Sequence, residues 1–365
     1  MDAPQPRPLV RAMDRPRQMS QPKTILFGPL PPPYGGVAVV MSTLREPAIA
    51  SGSVVWSYAG DDGDERVVKL NHRILGHIRR LLTTPTVSRV VDSTHFHLEY
   101  PHWLLLPAWL LARRIKGFRW IKTCHDGSLP FRYSSMSSGA RRRFRRALDS
   151  IDEMVVSSHE LAEFFRDKFT GPIRYISPLM PLPASWDPPT LTAERAAKVV
   201  TSIGAFIPSY GFQHVADAVE SLRDRGRDLE LVLLDGAFAR DEAYRASVLK
   251  NRRWIRVHEG VRHSEVSTYL RESDVFVRAF AHESYGLSRV EAILSSVPVI
   301  ATNIGETRGM LTYEFGDAGR LVEHLESILD RGSEQDLARW QEVYRAEALE
   351  NLQQYSNLIT GESNA

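Results

Sequence analysis

A single cysteine, Cys124, stands in a chain of 365 residues. That excludes an internal disulfide and any zinc site built on cysteine, and it suits a reducing cytosol. Long apolar runs are scarce as well. The most apolar stretch, WLLLPAWLLA from Trp103 to Ala112, is about half of what a bilayer crossing needs and carries Pro107. The opening MDAPQPRPLVRAMDRPRQMSQPK has no apolar core of the secretory-signal kind. Its Pro, Arg and Gln predict a disordered tail over 1–22. Repeats and heptads are missing too. Neither sign of charge dominates, since the net is +2, yet the two halves differ. Met1–Thr190 holds 26 Lys and Arg against 17 Asp and Glu, and Leu191–Ala365 holds 20 against 27. Halves of opposite sign point to different partners.

What is present is a soluble composition, 43% apolar and 25% charged, long enough for two cores. Strand-length apolar runs alternate with segments of helical period. TILFG (Thr24–Gly28) leads through a Pro/Gly loop into VAVVMSTL, where Val37, Val40, Met41 and Leu44 share a face. RWIKTCH and EMVVSS predict strands, and GARRRFRRAL between them a basic helix. The proline-dense stretch Ser177–Thr190 cannot hold a central strand. It places an interdomain linker over 184–195. The pattern then restarts with KVVTSIG, LELVLLDG, WIRVHEG, DVFVRAF and VPVIATN. Runs without polar alternation, each followed by a helix, predict parallel sheets covered on both faces. The expected fold is α/β, with two Rossmann-like domains over 23–183 and 196–335. A final helix over 336–365 is expected to pack back on the first domain.

One block carries chemistry. In HESYGLSRVEAILSSVPVIATN, Glu283 follows a predicted strand, Gly286 permits a tight turn, and Glu291 sits one turn inside the next helix. Ligands of open α/β sheets bind beyond the carboxyl ends of the strands. A helix N-terminus suits a phosphate, and carboxylates suit the paired hydroxyls of a sugar or ribose. A nucleoside diphosphate sugar carries those groups in that order. The plain alternative is a pair of glutamates that only complements the helix dipole.

The E-x7-E spacing, the turn ESYGL and the stretch VPVIATNIGETRGM resemble the donor site of glycosyltransferase family 4, whose fold is GT-B. ILFGPLPPPYGGVAVVMSTL, TCHDGSLPF, SIGAFIPSYGF and WIRVHEGVRHSEVSTYLRESDVFV resemble other segments of that family. The resemblance implies two parallel-sheet domains facing across a cleft. It also implies retaining transfer from a nucleotide sugar, without metal or other cofactor, to a glycan or lipid-linked acceptor. By it, Glu283 would hold the sugar and Glu291 the ribose. The amides of Tyr285, Gly286 and Leu287 would meet the diphosphate or sugar, with Gly35 and Gly36 close to the diphosphate. His125 would approach the transferred sugar, and Val261 would lie near the base. One departure stands out. Many members carry Arg and Lys where this chain has Ala205 and Tyr210. Arg278, at the end of the strand before Glu283, would supply the missing charge or else form a structural ion pair. Two other readings stay open: a nucleotide-sugar epimerase on the same fold, and a binding protein that has lost catalysis.

The remaining candidates have plainer readings. His95, His97 and His102 do not form a metal set by spacing, and DDGDE reads as a solvated turn. Arg141–Arg146 is a basic helix face suited to an anionic membrane surface or a phosphate-bearing acceptor. No nucleic-acid motif accompanies it. The expected location is the cytoplasm or the inner face of a membrane.

Overall fold

The computed structural model describes residues 23–32, 35–60, 63–70, 79, 81–84, 87–93, 106–182 and 197–362. The expected tail over 1–22, the linker over 184–195, the histidines His95, His97 and His102, and Asp61 and Asp62 of the acidic turn lie outside those residues.

Among the described residues, seven parallel strands form the first sheet: β1 (Lys23–Gly28), β2 (Val54–Ser57), β3 (Val68–Lys69), β4 (Val87–Asp92), β5 (Arg119–Cys124), β6 (Glu153–Val156) and β7 (Ile173–Tyr175). Their order is β3-β2-β1-β4-β5-β6-β7. Successive apolar residues go to opposite faces, so a doubly covered sheet needs unbroken apolar runs. Leu26, Val55 and Val91 enter the core on one face. Their neighbours Ile25, Trp56 and Val90 enter the core on the other. The helices are α1 (Gly36–Ala50), α2 (Leu106–Lys116), α3 (Leu129–Ser134), α4 (Ser138–Leu148) and α5 (His159–Arg166). α1 buries Ala38, Val40, Met41, Leu44 and Ala48. Val37, expected on that buried face, packs part-buried against the same core and also lines the cleft.

Six parallel strands form the second sheet: β8 (Lys198–Phe206), β9 (Leu229–Arg240), β10 (Ile255–Glu259), β11 (Val275–Arg278), β12 (Val299–Thr302) and β13 (Leu311–Tyr313). Their order is β10-β9-β8-β11-β12-β13. Around them lie α6 (Phe212–Asp224), α7 (Glu242–Leu249), α8 (His263–Arg271), α9 (Leu287–Leu294) and α10 (Ala318–Arg331). In each sheet the strand order reverses beside the first strand, at β1/β4 and at β8/β11. Such a reversal opens a crevice at the carboxyl ends.

The long helix α11 (Leu337–Thr360) serves both domains. Tyr344 and Ala348 pack with Val290 and Ile293 of the second. Tyr355, Leu358 and Ile359 pack with Leu26 and Val91 of the first. Thr24 Oγ1 donates to the Ile359 carbonyl at 2.5 Å, which ties β1 to the helix end. Among the described residues, no helix is long and apolar enough to cross a membrane.

Candidate functional site

A cavity of about 610 Å³ lies between the carboxyl ends of the two sheets. Gly35, Gly36, His125, Val261, Arg278, Glu283, Tyr285, Gly286, Leu287 and Glu291, the ten residues singled out from the sequence, all line it. They come from four separate stretches of chain, 35–36, 125, 261 and 278–291, which the fold brings to one place.

The floor is built by β11 and the loop after it. Arg278 ends β11 and is nearly buried, as is Glu283. Arg278 Nε donates to Glu283 Oε2 at 2.7 Å. Arg278 also donates to the Ile203 carbonyl. Its guanidinium lies 5.1 Å from the Tyr210 ring centroid and 5.0 Å from that of Phe280. Those two rings stack at 4.2 Å. Tyr210 thus forms, with Phe280, an aromatic wall for the arginine one strand away. Arg278 is the one lysine or arginine among the described lining residues. The two readings of Arg278 therefore converge, since it faces the cavity and is ion-paired at once.

A second arginine lies behind the first. Arg289, fully buried on α9, stands 3.9 Å from Glu283 Oε2. It donates to the Ile304 and Glu306 carbonyls and to Thr302 Oγ1. Burial pulls its pKa down to about 10, with Glu283 opposing. Burial alone would raise the Glu283 carboxyl. The charges of Arg278 and Arg289 outweigh it and hold Glu283 below its ordinary range.

α9 starts at Gly286, whose φ of +90° is left-handed. A side chain there would be strained, and its Cβ would lie 2.8 Å from Arg289 Cδ. No side chain caps the first amides of α9, so its positive end faces the cavity. One turn on, Glu291 is buried and accepts from His263 Nε2 at 2.7 Å. Burial disfavours the charged imidazole, yet the Glu291 carboxylate and this hydrogen bond raise the His263 pKa above its ordinary value.

The first domain closes the cavity from the other side. Gly36 of α1 faces Leu287, with 3.5 Å from a Cβ built there to Leu287 Cδ1. His125 follows β5, and its Nε2 meets Thr123 Oγ1 at 3.1 Å. Its carbonyl accepts from Ser284 Oγ at 2.9 Å, a bond between the two domains. Nearby, the Phe131 and His282 rings stack at 4.8 Å. Gly127 lies so close to the facing loop that a Cβ would stand 2.3 Å from the His282 carbonyl oxygen and 2.5 Å from Ser284 N. Cys124, just before His125, is buried, and burial pushes its thiol up to about 12. It is a packed apolar residue here.

Sequence reasoning missed His263, Ser284, Arg289 and the Tyr210–Phe280 wall. A histidine three residues after Gly260, inside a segment already read as lying near the base, was a usable signal for the first. The others depend on which strands become neighbours. Among the described residues, no group of three or more His, Cys, Asp or Glu is placed to hold a metal ion.

Known proteins bear on this arrangement. Glycosyl transferases group 1 match residues 189–341. The 2-deoxystreptamine N-acetyl-D-glucosaminyltransferase of Niallia circulans is 27% identical over 146 residues, 37% of this chain and 37% of that protein. The chain thus matches little more than a third of that relative's length. Among solved structures, Anabaena HepE in complex with UDP superposes with a TM-score of 0.70 at 13% identity, covering 93% of this chain and all of that one (100%). Sucrose-phosphate synthase from Thermosynechococcus elongatus gives 0.68 at 16% identity, covering 93% and 98%. The structural likeness shows the fold, GT-B. Residues 189–341, which include the second sheet, match the group 1 glycosyl transferases, and the two parallel-sheet domains facing across a cleft have the GT-B fold.

Proposed function

We propose that the chain is a retaining glycosyltransferase that moves a sugar from a UDP-sugar to a hydroxyl of a glycan or glycolipid. One observation carries the reading: residues 278–291 deliver two carboxylates, a helix N-terminus and a cation, and the first domain a histidine, to one interdomain cavity. The second domain holds the donor and the first the acceptor. Glu291 takes the ribose hydroxyls through charge-assisted hydrogen bonds. The α9 N-terminus and Arg278 meet the diphosphate, and Glu283 meets the sugar. His125 orients the sugar from the first domain. The UDP found with a protein of the same fold supports the choice of base.

In this mechanism no protein nucleophile is needed. The acceptor oxygen bonds to the anomeric carbon as the bond to the diphosphate breaks. The leaving phosphate takes the acceptor's proton on the same face, so configuration is kept. Donors fixed before reaction, aimed where charge develops, supply most of the stabilisation. The exposed arginines 142, 143, 145 and 146 of α4, anchored by buried Phe144 and Leu148, favour an acceptor carried on an anionic surface.

The test begins with thermal shifts against UDP, GDP and their sugars. Saturation at 100 times Kd stabilises by about 2.7 kcal/mol. Transfer is then followed with the best donor in excess EDTA, and the product's anomeric coupling is read by NMR. An α-linked donor giving an α-linked product without metal is expected. A β-linked product, or activity lost to EDTA and restored by Mn²⁺, refutes the mechanism. A UDP-sugar altered at C2 with no acceptor present marks an epimerase instead.

A further inference from the structure

We propose that His263 is a positioning residue for nucleotide binding, which aims the Glu291 carboxylate at the ribose diol; this rests on the reading of Glu291 given above. Glu291 lies on α9 with its side chain nearly buried at the cavity wall. Among the described residues, the one hydrogen bond to its carboxylate comes from His263 Nε2, at 2.7 Å to Oε1. An ionised carboxylate only accepts, so Nε2 carries the proton. The terminal torsion of a glutamate is otherwise soft, with a broad two-fold profile. A single fixed bond at Oε1 sets the carboxylate plane. It leaves Oε2, and a second lone pair on Oε1, for two vicinal hydroxyls.

His263 is itself held firmly. It is the first residue of α8, and the start of that helix is locked where Arg262 N donates to Glu265 Oε2 at 3.2 Å. Val266 and Leu270 of α8 share one core with Val290 and Ile293 of α9. The histidine and the glutamate therefore stand on two helices packed as a unit. His263 also lines the cavity, where the base and ribose end of the donor belongs. Without it, the carboxylate must be ordered by the ligand at the moment of binding. That cost, for one side chain, corresponds to roughly two- to tenfold in affinity.

The experiment compares UDP with 2′,3′-dideoxyuridine diphosphate by calorimetry on wild type, His263→Phe, His263→Gln and Glu291→Ala. Expected is a roughly two- to tenfold weaker UDP affinity for His263→Phe. His263→Gln, whose amide still donates, should restore most of it. Neither variant should weaken the dideoxy ligand, which has no diol to receive. Equal losses for both ligands would mean that His263 only supports the fold, and would overturn the inference. So would a His263→Phe variant that binds UDP like wild type while Glu291→Ala does not. If Glu291→Ala also leaves UDP affinity unchanged, or wild type ignores UDP, the ribose reading falls and the inference with it.

Discussion

Removing the Arg278 guanidinium leaves Glu283 as a buried carboxylate whose remaining close cation is Arg289, 3.9 Å away. In Arg278→Met the 2.7 Å charge-assisted bond is lost, as are contacts with two aromatic faces. Breaking one partner out of a buried pair costs about 3–5 kcal/mol. Arg289 and solvent from the cavity soften this, so the low end, about 3 kcal/mol, is expected. For a domain of this size it corresponds to a Tm lower by about 6–12 °C. Replacing both partners, in Arg278→Met with Glu283→Gln, removes the orphaned charge and should recover part of that loss. The effect also depends on pH. In wild type the Glu283 pKa is held below its ordinary 4.5, so its contribution is present above pH 4.5 and lost as pH falls through the folded value. In Arg278→Met burial dominates and raises that pKa. The gap between variant and wild type should therefore be widest at neutral pH, narrow as the variant's carboxyl protonates, and close in acid. Urea or thermal unfolding across that range measures it. A single variant as stable as wild type at pH 7, or a double variant less stable than the single, would refute the argument.

Other perturbations probe other parts of the site. Glu283→Gln should spare UDP affinity and slow transfer if, as proposed, the sugar rather than the nucleotide meets that carboxylate; a matching loss of UDP binding in calorimetry would count against the assignment. Gly127→Ala puts a methyl against the His282 carbonyl and should lower turnover by pushing the domains apart, while the first domain keeps its stability; unchanged kcat would show that the close approach is dispensable. His125→Ala should reduce kcat more than donor affinity, which steady-state kinetics with binding measurements will separate. Replacing Arg142, Arg143 and Arg146 by Gln should reduce sedimentation with anionic vesicles at low salt, where surface attraction reaches beyond about 10 Å; wild-type protein that ignores such vesicles removes the membrane arm of the acceptor reading.

The sheets were legible because their strands are buried on both faces, so apolar residues follow one another without polar alternation, as VFV in DVFVRAF and VIA in VPVIATN. The two glutamates were legible because a single helix turn and a single glycine set their spacing. Pairings made across the fold were not. Ser284 reaches the His125 carbonyl from 159 residues away, and His263 reaches Glu291 from 28. Neither follows from local periodicity. Arg278 was visible as an unusual charge at a strand end, but its counter-ion depends on how the loop after β11 folds back. Val37 does both: its helical spacing fits the core face, where it packs part-buried, and the first turn of α1 also opens on the cleft.

The position of α11 sets an order on the birth of the protein. Thr24, in β1, bonds to Ile359, 335 residues later. At about 5–20 residues per second, a ribosome needs roughly 15–70 s to cover that distance. Throughout that interval, the face of the first sheet that holds Leu26, Val55 and Val91 lacks Tyr355, Leu358 and Ile359. The first domain thus emerges before the second and is finished last, sealed by a helix that leaves the ribosome after the second sheet.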